Sequence, residues 1–309
     1  MTAETTVTPV PGPLRFGLVG TGYWARETHA PAIIAADGAE LVAVWGRDAD
    51  AASSLATATG ATAPPDFDDF LAEVDAVCFA VPPHVQAELA LRAAAAGKHL
   101  LLEKPVALDL VTGEALLAAV RERDLAAVVF FTHLFTPAVR TWFDQVATKG
   151  PWSGGHAVWL GSALSDENPF NTPWRREHGG LWDVGPHAVA ALSRTLGPVR
   201  SLTVDRGEPD LTYLVLHHEG GATSSATLTL SAPDAADGFT LQLWGPAGRS
   251  DLPIDDVDSI EALTVAVQEL TAMVRSGDRE HPSDLPFGLA VQRVLEQAER
   301  AGRARGDGA

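Results

Sequence analysis

Short apolar runs alternate with helical patterns over the first part of the chain. The first four runs end at glycine, proline or a charged residue, which indicates strands that stop at turns. The predicted strands are residues 14–20, 41–45, 76–81, 99–102 and 126–131, and the predicted helices are 23–36, 49–59, 66–71, 83–96 and 109–123. Strands that alternate with helices are typical of a doubly wound parallel sheet with helices on both faces.

The pattern changes after about Thr136. Apolar or alternating runs separated by turn residues are typical of an antiparallel sheet, here with runs at 156–160, 201–204, 212–217, 226–230 and 240–244. A helix is predicted over 181–196, and two more near 259–275 and 287–301. We therefore expect an α/β nucleotide-binding domain over 14–134 and an α+β domain on a large open, mainly antiparallel sheet over 135–309. The closing helices can pack back on the first domain, and residues 1–13 are expected to be a loose leader.

Composition narrows the class of partners. The acidic residues exceed the basic ones to give a net charge of −18, so nucleic acid and anionic membranes are not expected partners. No apolar run is long enough to span a bilayer. The single cysteine, Cys78, lies in an apolar run, which suggests a buried small side chain rather than a nucleophile. One cysteine excludes an intrachain disulfide and suits a reducing cytoplasm.

The first turn carries a nucleotide-binding pattern. Gly20-Thr21-Gly22 ends the first apolar run, and Ala25 stands at the third small position of G-x-G-x-x-G/A. Gly20 permits the tight turn, and Gly22 lets a pyrophosphate approach the backbone. The following helix turns free N–H groups toward the phosphates.

Cofactor choice is predicted from the end of the second strand. NAD-specific folds place an acid there to bind the ribose 2′-hydroxyl, whereas a nearby arginine accommodates a 2′-phosphate. This strand ends in Gly46-Arg47-Asp48. Gly46 leaves room and Arg47 offers a planar fork for phosphate, so NADP is preferred to NAD. The alternative has Arg47 stacking on adenine and Asp48 binding the ribose.

Three motifs together resemble one family. Gly20-Thr21-Gly22, Glu103-Lys104-Pro105 and Asp183-Val184-Gly185-Pro186-His187, in this order and at these distances, resemble the Gfo/Idh/MocA oxidoreductases, the glucose–fructose oxidoreductase and inositol dehydrogenase family. The resemblance covers nearly the whole chain. It implies an N-terminal Rossmann domain, NAD(P)-dependent chemistry on a small molecule such as a sugar or polyol, and a homodimer or homotetramer that buries the open sheet.

Lys104 is the first catalytic candidate. It follows a strand, and ligands of open α/β sheets bind at the carboxyl ends of the strands. An ammonium can stabilise a developing alkoxide and relay the hydroxyl proton. The resemblance assigns the same lysine to substrate binding and proton transfer. Pro105 makes a cis Lys-Pro bond plausible.

Asp183 and His187 are the other catalytic candidates. Their spacing of four puts both on one face of a helix. Histidine is the usual proton acceptor near neutral pH, and aspartate can bind a hydroxyl or orient a partner. The alternative is a helix-capping aspartate with a structural histidine. The resemblance implies that both face the nicotinamide and the reacting carbon, and it leaves open whether Lys104 or His187 is the main acid/base.

Further contacts are expected around these residues. Tyr23, Trp24, Pro82, His84 and Glu103 are predicted to lie beside the cofactor. In the second domain, His133 replaces a polar residue of the family's Asn-x-Arg-Phe pattern, which leaves sugar specificity open. A loop over 168–176 offers Trp174 to stack on a ring and Arg175 to hold an anion. No metal site is expected.

The function predicted from these residues is hydride transfer between nicotinamide and a secondary alcohol or ketone of a sugar, polyol or related small molecule. Two alternatives stay open. One is a regulator that senses NAD(P) or a sugar without turnover. The other is a redox-assisted glycosidase or lyase that oxidises its sugar transiently.

Overall fold

A computed structural model describes residues 12–253 and 257–306, without the side chains of 304–306. The expected leader lies outside the described residues, except Gly12 and Pro13. The described chain forms two compact units, one of residues 12–130 and 258–286, the other of residues 131–253, 257 and 287–306. The helix Ser259–Ser276 thus belongs to the first unit.

The first unit is built on a parallel five-stranded sheet, as the sequence predicts, and its strand order is β2-β1-β3-β4-β5. Its strands are β1 (Leu14–Val19), β2 (Ala39–Trp45), β3 (Ala76–Phe79), β4 (His99–Glu103) and β5 (Ala127–Phe130). The helices are α1 (Ala30–Ala35), α2 (Ala49–Thr59), α3 (Phe67–Glu73), α4 (Pro83–Ala95), α5 (Leu110–Glu122) and α10 (Ser259–Ser276). Every residue of the central strand β3 and of the edge strand β5 is buried, in keeping with their continuously apolar sequences.

The predicted first helix is not uniformly α-helical. A π-helical turn, Ala25–His29, precedes α1, and the Ala30 amide donates to the carbonyl of Ala25. Pro31, the residue after Ala30, has no N–H, so one hydrogen bond of a regular α-helix is missing at this point. The π turn inserts one extra residue into the helix and changes the direction in which His29 projects.

The second unit is built on a mixed six-stranded sheet of order β11-β10-β6-β9-β8-β7, antiparallel except between β6 and β9, as the fold class predicted. Its strands are β6 (Gly154–Leu160), β7 (Val199–Gly207), β8 (Leu211–His218), β9 (Thr223–Thr229), β10 (Gly238–Gly245) and β11 (Gly248–Asp251). The helices are α6 (Thr132–Phe135), α7 (Pro137–Lys149), α8 (Pro173–Asp183), α9 (Gly185–Leu196) and α11 (Leu285–Gly306), whose first two residues belong to the first unit. α8 and α9 pack on one face of this sheet.

Two expectations about the segment before β7 are wrong. The loop predicted over 168–176 becomes helical at Pro173, where the Thr172 hydroxyl caps α8 by accepting from the Arg175 amide at 3.4 Å. The single helix predicted over 181–196 is divided, because α8 ends at Asp183 and α9 begins at Gly185. Pro186 has no N–H to continue the ladder. Asp183 and His187 therefore do not share one uninterrupted helix.

His99 makes the first unit sensitive to acid. It accepts a hydrogen bond at Nδ1 from the Ala126 amide at 3.0 Å, and burial lowers its pKa to about 4. As pH falls from 6.5 toward 4, His99 becomes protonated in the unfolded chain but stays neutral in the folded chain. This difference lowers the free energy of unfolding by about 3 kcal/mol over that interval. We expect His99→Asn, whose amide oxygen can replace Nδ1, to flatten this part of the pH profile. Denaturant unfolding at pH 7.5, 5.5 and 4.5 measures it, and an unchanged slope would exclude His99 as the cause.

Candidate active site

The glycine turn after β1 lies where the strand order of the parallel sheet reverses. Gly20 has a φ of +126°, and its amide donates to the carbonyl of Trp45 at 2.8 Å. A Cβ on Gly20 would lie 2.5 Å from the carbonyl oxygen of Ala80, which follows β3. The turn is thus wedged between the carboxyl ends of β1, β2 and β3, the place where open α/β sheets bind nucleotides.

Gly22 leaves its backbone accessible on the side of the turn where a dinucleotide would bind. A Cβ on Gly22 would meet no atom within 4 Å, so the backbone is open to a ligand on this side. Thr21 and Gly22 would face the pyrophosphate there, and Tyr23 and Trp24 begin the helix beside them. Tyr23 is 46% exposed. The nicotinamide of such a cofactor supplies the acceptor or donor of hydride.

Gly46, which follows β2, packs against Thr21 of the glycine turn. A Cβ on Gly46 would lie 2.8 Å from the Thr21 methyl group, so only glycine fits without displacing that side chain. Arg47 is exposed, whereas Asp48 caps α2 by accepting the Ala51 amide at 3.0 Å. Arg47 and Asp48 therefore differ in local role, one a solvent-facing cation and the other a helix cap.

The segment after β3 starts the next helix. The Ala80 amide donates to the carbonyl of Val19 at 2.8 Å, which keeps the two strand ends together. Pro82 precedes α4, and His84 is exposed in its first turn. Both therefore lie at the sheet edge that carries the glycine turn.

Glu103-Lys104-Pro105 closes β4, with a cis bond between Lys104 and Pro105. The fully buried Gln86 of α4 holds this segment, because its side chain accepts from the Glu103 amide at 2.8 Å and donates to the Glu103 carbonyl at 2.7 Å. The same amide group lies 3.2 Å from the Val106 carbonyl. Sequence reasoning missed Gln86, although a polar residue on the buried face of an alanine-rich helix is the signal that could have found it.

The side chain of Glu103 faces the protein rather than open solvent. Its Oε1 accepts from the Trp24 indole at 2.8 Å and lies 3.1 Å from Nε2 of His29. Burial raises the pKa of the carboxyl, but His29, the Lys104 ammonium and the Trp24 indole outweigh it, so the pKa lies below its ordinary value. Glu103 is therefore a carboxylate held by residues of the first helix, and His29 is a second residue that the sequence analysis missed.

In the second unit, Asp183 ends α8 as a buried carboxylate. The Arg175 guanidinium donates to its Oδ2 at 2.8 Å and to the Phe170 carbonyl at 3.3 Å. Trp174 lies beside His178, with ring centroids 5.2 Å apart. The structure thus places the predicted anion-binding arginine against the predicted catalytic aspartate.

His187 lies in a cluster of aromatic rings within the second unit. Its ring centroid is 5.1 Å from Trp159 of β6 and 5.7 Å from His133 of α6. Phe239 of β10 stacks on Trp159 at 4.4 Å and lies 5.2 Å from His133. His133 and His187 are both buried. Their proximity could not be predicted from the sequence. Trp159 and Phe239 were missed because a single aromatic residue in a strand predicts only a core position.

Over residues 12–253 and 257–306, no group of three or more His, Cys, Asp and Glu side chains is placed to hold a metal ion. None of the helices described there has the length and apolar character needed to cross a membrane.

Comparison with known proteins assigns the family. Residues 14–131 match the sequence profile of an oxidoreductase family with an NAD-binding Rossmann fold. An uncharacterised oxidoreductase of Rhizobium meliloti is 33% identical over 330 residues, covering 93% of this chain and 96% of that protein. The chain belongs to the Gfo/Idh/MocA family.

A curated enzyme and a solved structure are also similar to this chain. A dTDP-3,4-didehydro-2,6-dideoxy-alpha-D-glucose 3-reductase of Streptomyces antibioticus is 34% identical over 202 residues, covering 61% of this chain and 59% of that enzyme. The crystal structure of GenD2 from gentamicin A biosynthesis, in complex with NAD, superposes with a TM-score of 0.82 at 21% identity, covering 94% of this chain and 95% of that one. This Gfo/Idh/MocA protein is therefore an oxidoreductase with an NAD-binding Rossmann fold.

Proposed function

We propose that this oxidoreductase transfers a hydride between the nicotinamide of NADP and a secondary alcohol or ketone of a sugar, polyol or related small molecule. The observation that carries the proposal is the placement of Lys104 directly after β4. Its backbone amide donates to the Glu103 carboxylate, and the backbone of Glu103 is held by Gln86. A cation at the nucleotide-binding edge of the sheet is a group that such a reaction requires.

In the oxidation direction, the substrate hydroxyl loses its proton as its carbon loses hydride. We assign Lys104 to stabilising the oxygen during this change, and either Lys104 or His187 to receiving the proton. Asp183, held by Arg175, would bind a neighbouring hydroxyl or orient His187. His133 and Trp174 are proposed substrate contacts of the second unit.

Turnover separates this proposal from the alternatives. A panel of polyols, sugars, keto-sugars and nucleotide-linked sugars, offered with both cofactors, is expected to give net reduction or oxidation of the nicotinamide at 340 nm. The dTDP-sugar substrate named for the Streptomyces antibioticus relative supports including nucleotide-linked sugars. Binding without turnover would indicate a sensor. Product without net cofactor change would indicate a redox-assisted glycosidase or lyase.

Arg47→Ala tests the cofactor. The capping role of Asp48 and the exposure of Arg47 favour an arginine that holds a 2′-phosphate. Charge-assisted hydrogen bonds contribute about 1.5–3 kcal/mol, so we expect NADP to bind about 10- to 100-fold more weakly and NAD to bind unchanged. Fluorescence titration of both cofactors measures this, with the exposed Arg121→Ala as the control. Equal weakening of NADP and NAD would rule out the phosphate fork.

Exposed apolar side chains on one face of the second sheet support a homodimer or homotetramer. Tyr213, Val215 and Trp244 point to this face and are 46%, 39% and 41% exposed. We expect Val215→Lys to lower the mass measured by light scattering after gel filtration, because a charge would be buried between subunits. Val111→Lys, at a 79% exposed position of the first unit, is the control. A monomeric wild type would contradict the assignment.

We also propose that the protein is cytoplasmic. A chain with one cysteine, buried and free, suits a reducing cytoplasm. Fractionation of the source cells with an antibody to the chain tests it.

A further inference from the structure

Four side chains of the first unit, Trp24, Glu103, His29 and Cys78, form a connected series of polar contacts. The Trp24 indole donates to Oε1 of Glu103 at 2.8 Å, and Nε2 of His29 lies 3.1 Å from the same oxygen. On its other side, Nδ1 of His29 lies 3.1 Å from Sγ of Cys78. The His29 side chain is 1% exposed, and the Glu103 side chain is 13% exposed. Sheet residues on β3 and β4 are thereby tied to the start of the first helix.

The protonation states of Glu103 and Cys78 decide which atoms donate in the hydrogen bonds with His29. Glu103 is a carboxylate and can only accept, so Nε2 of His29 must carry the proton between them. Burial, followed by the nearby Glu103 charge, raises the pKa of the Cys78 thiol, which therefore keeps its proton and can donate to Nδ1. Nε2 of His29 is thus the donor that holds the carboxylate.

The π-helical turn is what brings His29 to this position. Its fifth residue is His29, and the turn is closed by the bond from the Ala30 amide to the Ala25 carbonyl. The ring also packs edge-on against Phe130 of β5, with centroids 6.5 Å apart. The ring is therefore fixed by contacts with three strands, and π turns of this kind frequently occur at functional sites.

The other carboxylate oxygen reaches Lys104. Oε2 of Glu103 accepts from the Lys104 backbone amide at 3.2 Å. We propose that His29 is a positioning residue, which holds the Glu103 carboxylate so that Lys104 and Trp24 keep fixed places on either side of it. This inference rests on the proposed function, because Lys104 is the group assigned to the reacting oxygen. His29 itself is not proposed to touch substrate or cofactor.

Two substitutions test whether His29 acts through its hydrogen bond to Glu103 or only by filling space in the core. In His29→Gln, the amide nitrogen can occupy the place of Nε2 and still donate to Glu103. In His29→Asn, the shorter amide reaches only the place of Nδ1, beside Cys78. We expect the Gln variant to keep kcat within about threefold of the wild type and the Asn variant to lose ~10- to 100-fold, as expected for a small displacement of a catalytic group. NADPH affinity is expected to follow the same order, because Trp24 begins the helix beside the glycine turn.

His218→Gln is the matched control. His218 is equally buried and makes two hydrogen bonds, to the Gly197 carbonyl and the Ser224 hydroxyl, but it lies in the second unit. It is expected to lower the melting temperature without changing kcat or NADPH affinity. If both His29 variants keep the wild-type kcat, or if Gln and Asn lose activity equally, His29 does not act through Glu103.

Nitrogen-15 NMR of the imidazole supplies a readout that does not need turnover. The resonances lost in His29→Gln identify His29, and we expect its Nε2 to be protonated in the wild type. An unprotonated Nε2 would overturn the proposal. If no substrate of the panel is turned over, the proposed function fails, whereas the NMR result and the order of NADPH affinities still decide the role of His29.

Discussion

Lys104→Met is expected to lower kcat by ~10²- to 10⁴-fold, the contribution typical of a positioned acid/base group. Methionine keeps most of the length of the side chain but removes the ammonium that would stabilise the alkoxide and relay its proton. The backbone contacts of Lys104 with Glu103 do not involve the ammonium and are retained. NADPH affinity is therefore expected to stay within about threefold, and steady-state kinetics combined with fluorescence titration measures the split between kcat and binding.

Lys98→Met is the matched control at the opposite end of the same strand. The Lys98 ammonium donates to the Val74 carbonyl at 2.8 Å, so its loss costs about 1.5–3 kcal/mol of stability. It is expected to leave kcat unchanged because the amino ends of parallel strands lie away from the ligand edge. Full turnover by Lys104→Met would show that its assigned role is wrong. A larger loss in His187→Gln than in Lys104→Met would identify His187 as the main acid/base.

Gly22→Ala is expected to weaken NADPH binding by roughly 100-fold or more while the protein folds normally. A Cβ at this position meets no protein atom within 4 Å, so the fold has room for it. The same Cβ would occupy the space through which the pyrophosphate approaches the backbone. Thermal unfolding without cofactor, together with cofactor titration, measures the two effects separately. Unchanged NADPH affinity would place the pyrophosphate elsewhere.

Gly20→Ala, in contrast, is expected to reduce the stability of the protein itself. Its Cβ would lie 2.5 Å from the Ala80 carbonyl oxygen, and its φ of +126° is strained for any residue with a side chain. We expect it to destabilise the apo protein by at least 1–3 kcal/mol. Gly97→Ala is the control for backbone strain alone, because Gly97 has a φ of +76° and open space around it. It should lose some stability but no cofactor affinity.

The nucleotide-binding half of the site was largely predictable from local patterns. Continuous apolar runs identify buried parallel strands whatever surrounds them, and a glycine motif acts through the backbone of a few adjacent residues. Gly20, Gly46 and Lys104 accordingly lie at strand ends in the structure. Helix boundaries were less predictable where proline or a cap decides them, as at Thr172 and Pro186.

The sequence by itself determined that the glycine turn, Arg47 and Lys104 each follow a strand of a parallel sheet. Only the tertiary structure decided which side chains support them. His29 is 74 positions from Glu103, and Gln86 is 17 positions from it, so no local pattern links them. Trp159 and Phe239 meet across neighbouring strands β6 and β10, beside His133 and His187. Long-range packing creates these contacts, since a side chain's partner depends on sheet register and helix placement rather than on its neighbours in the chain.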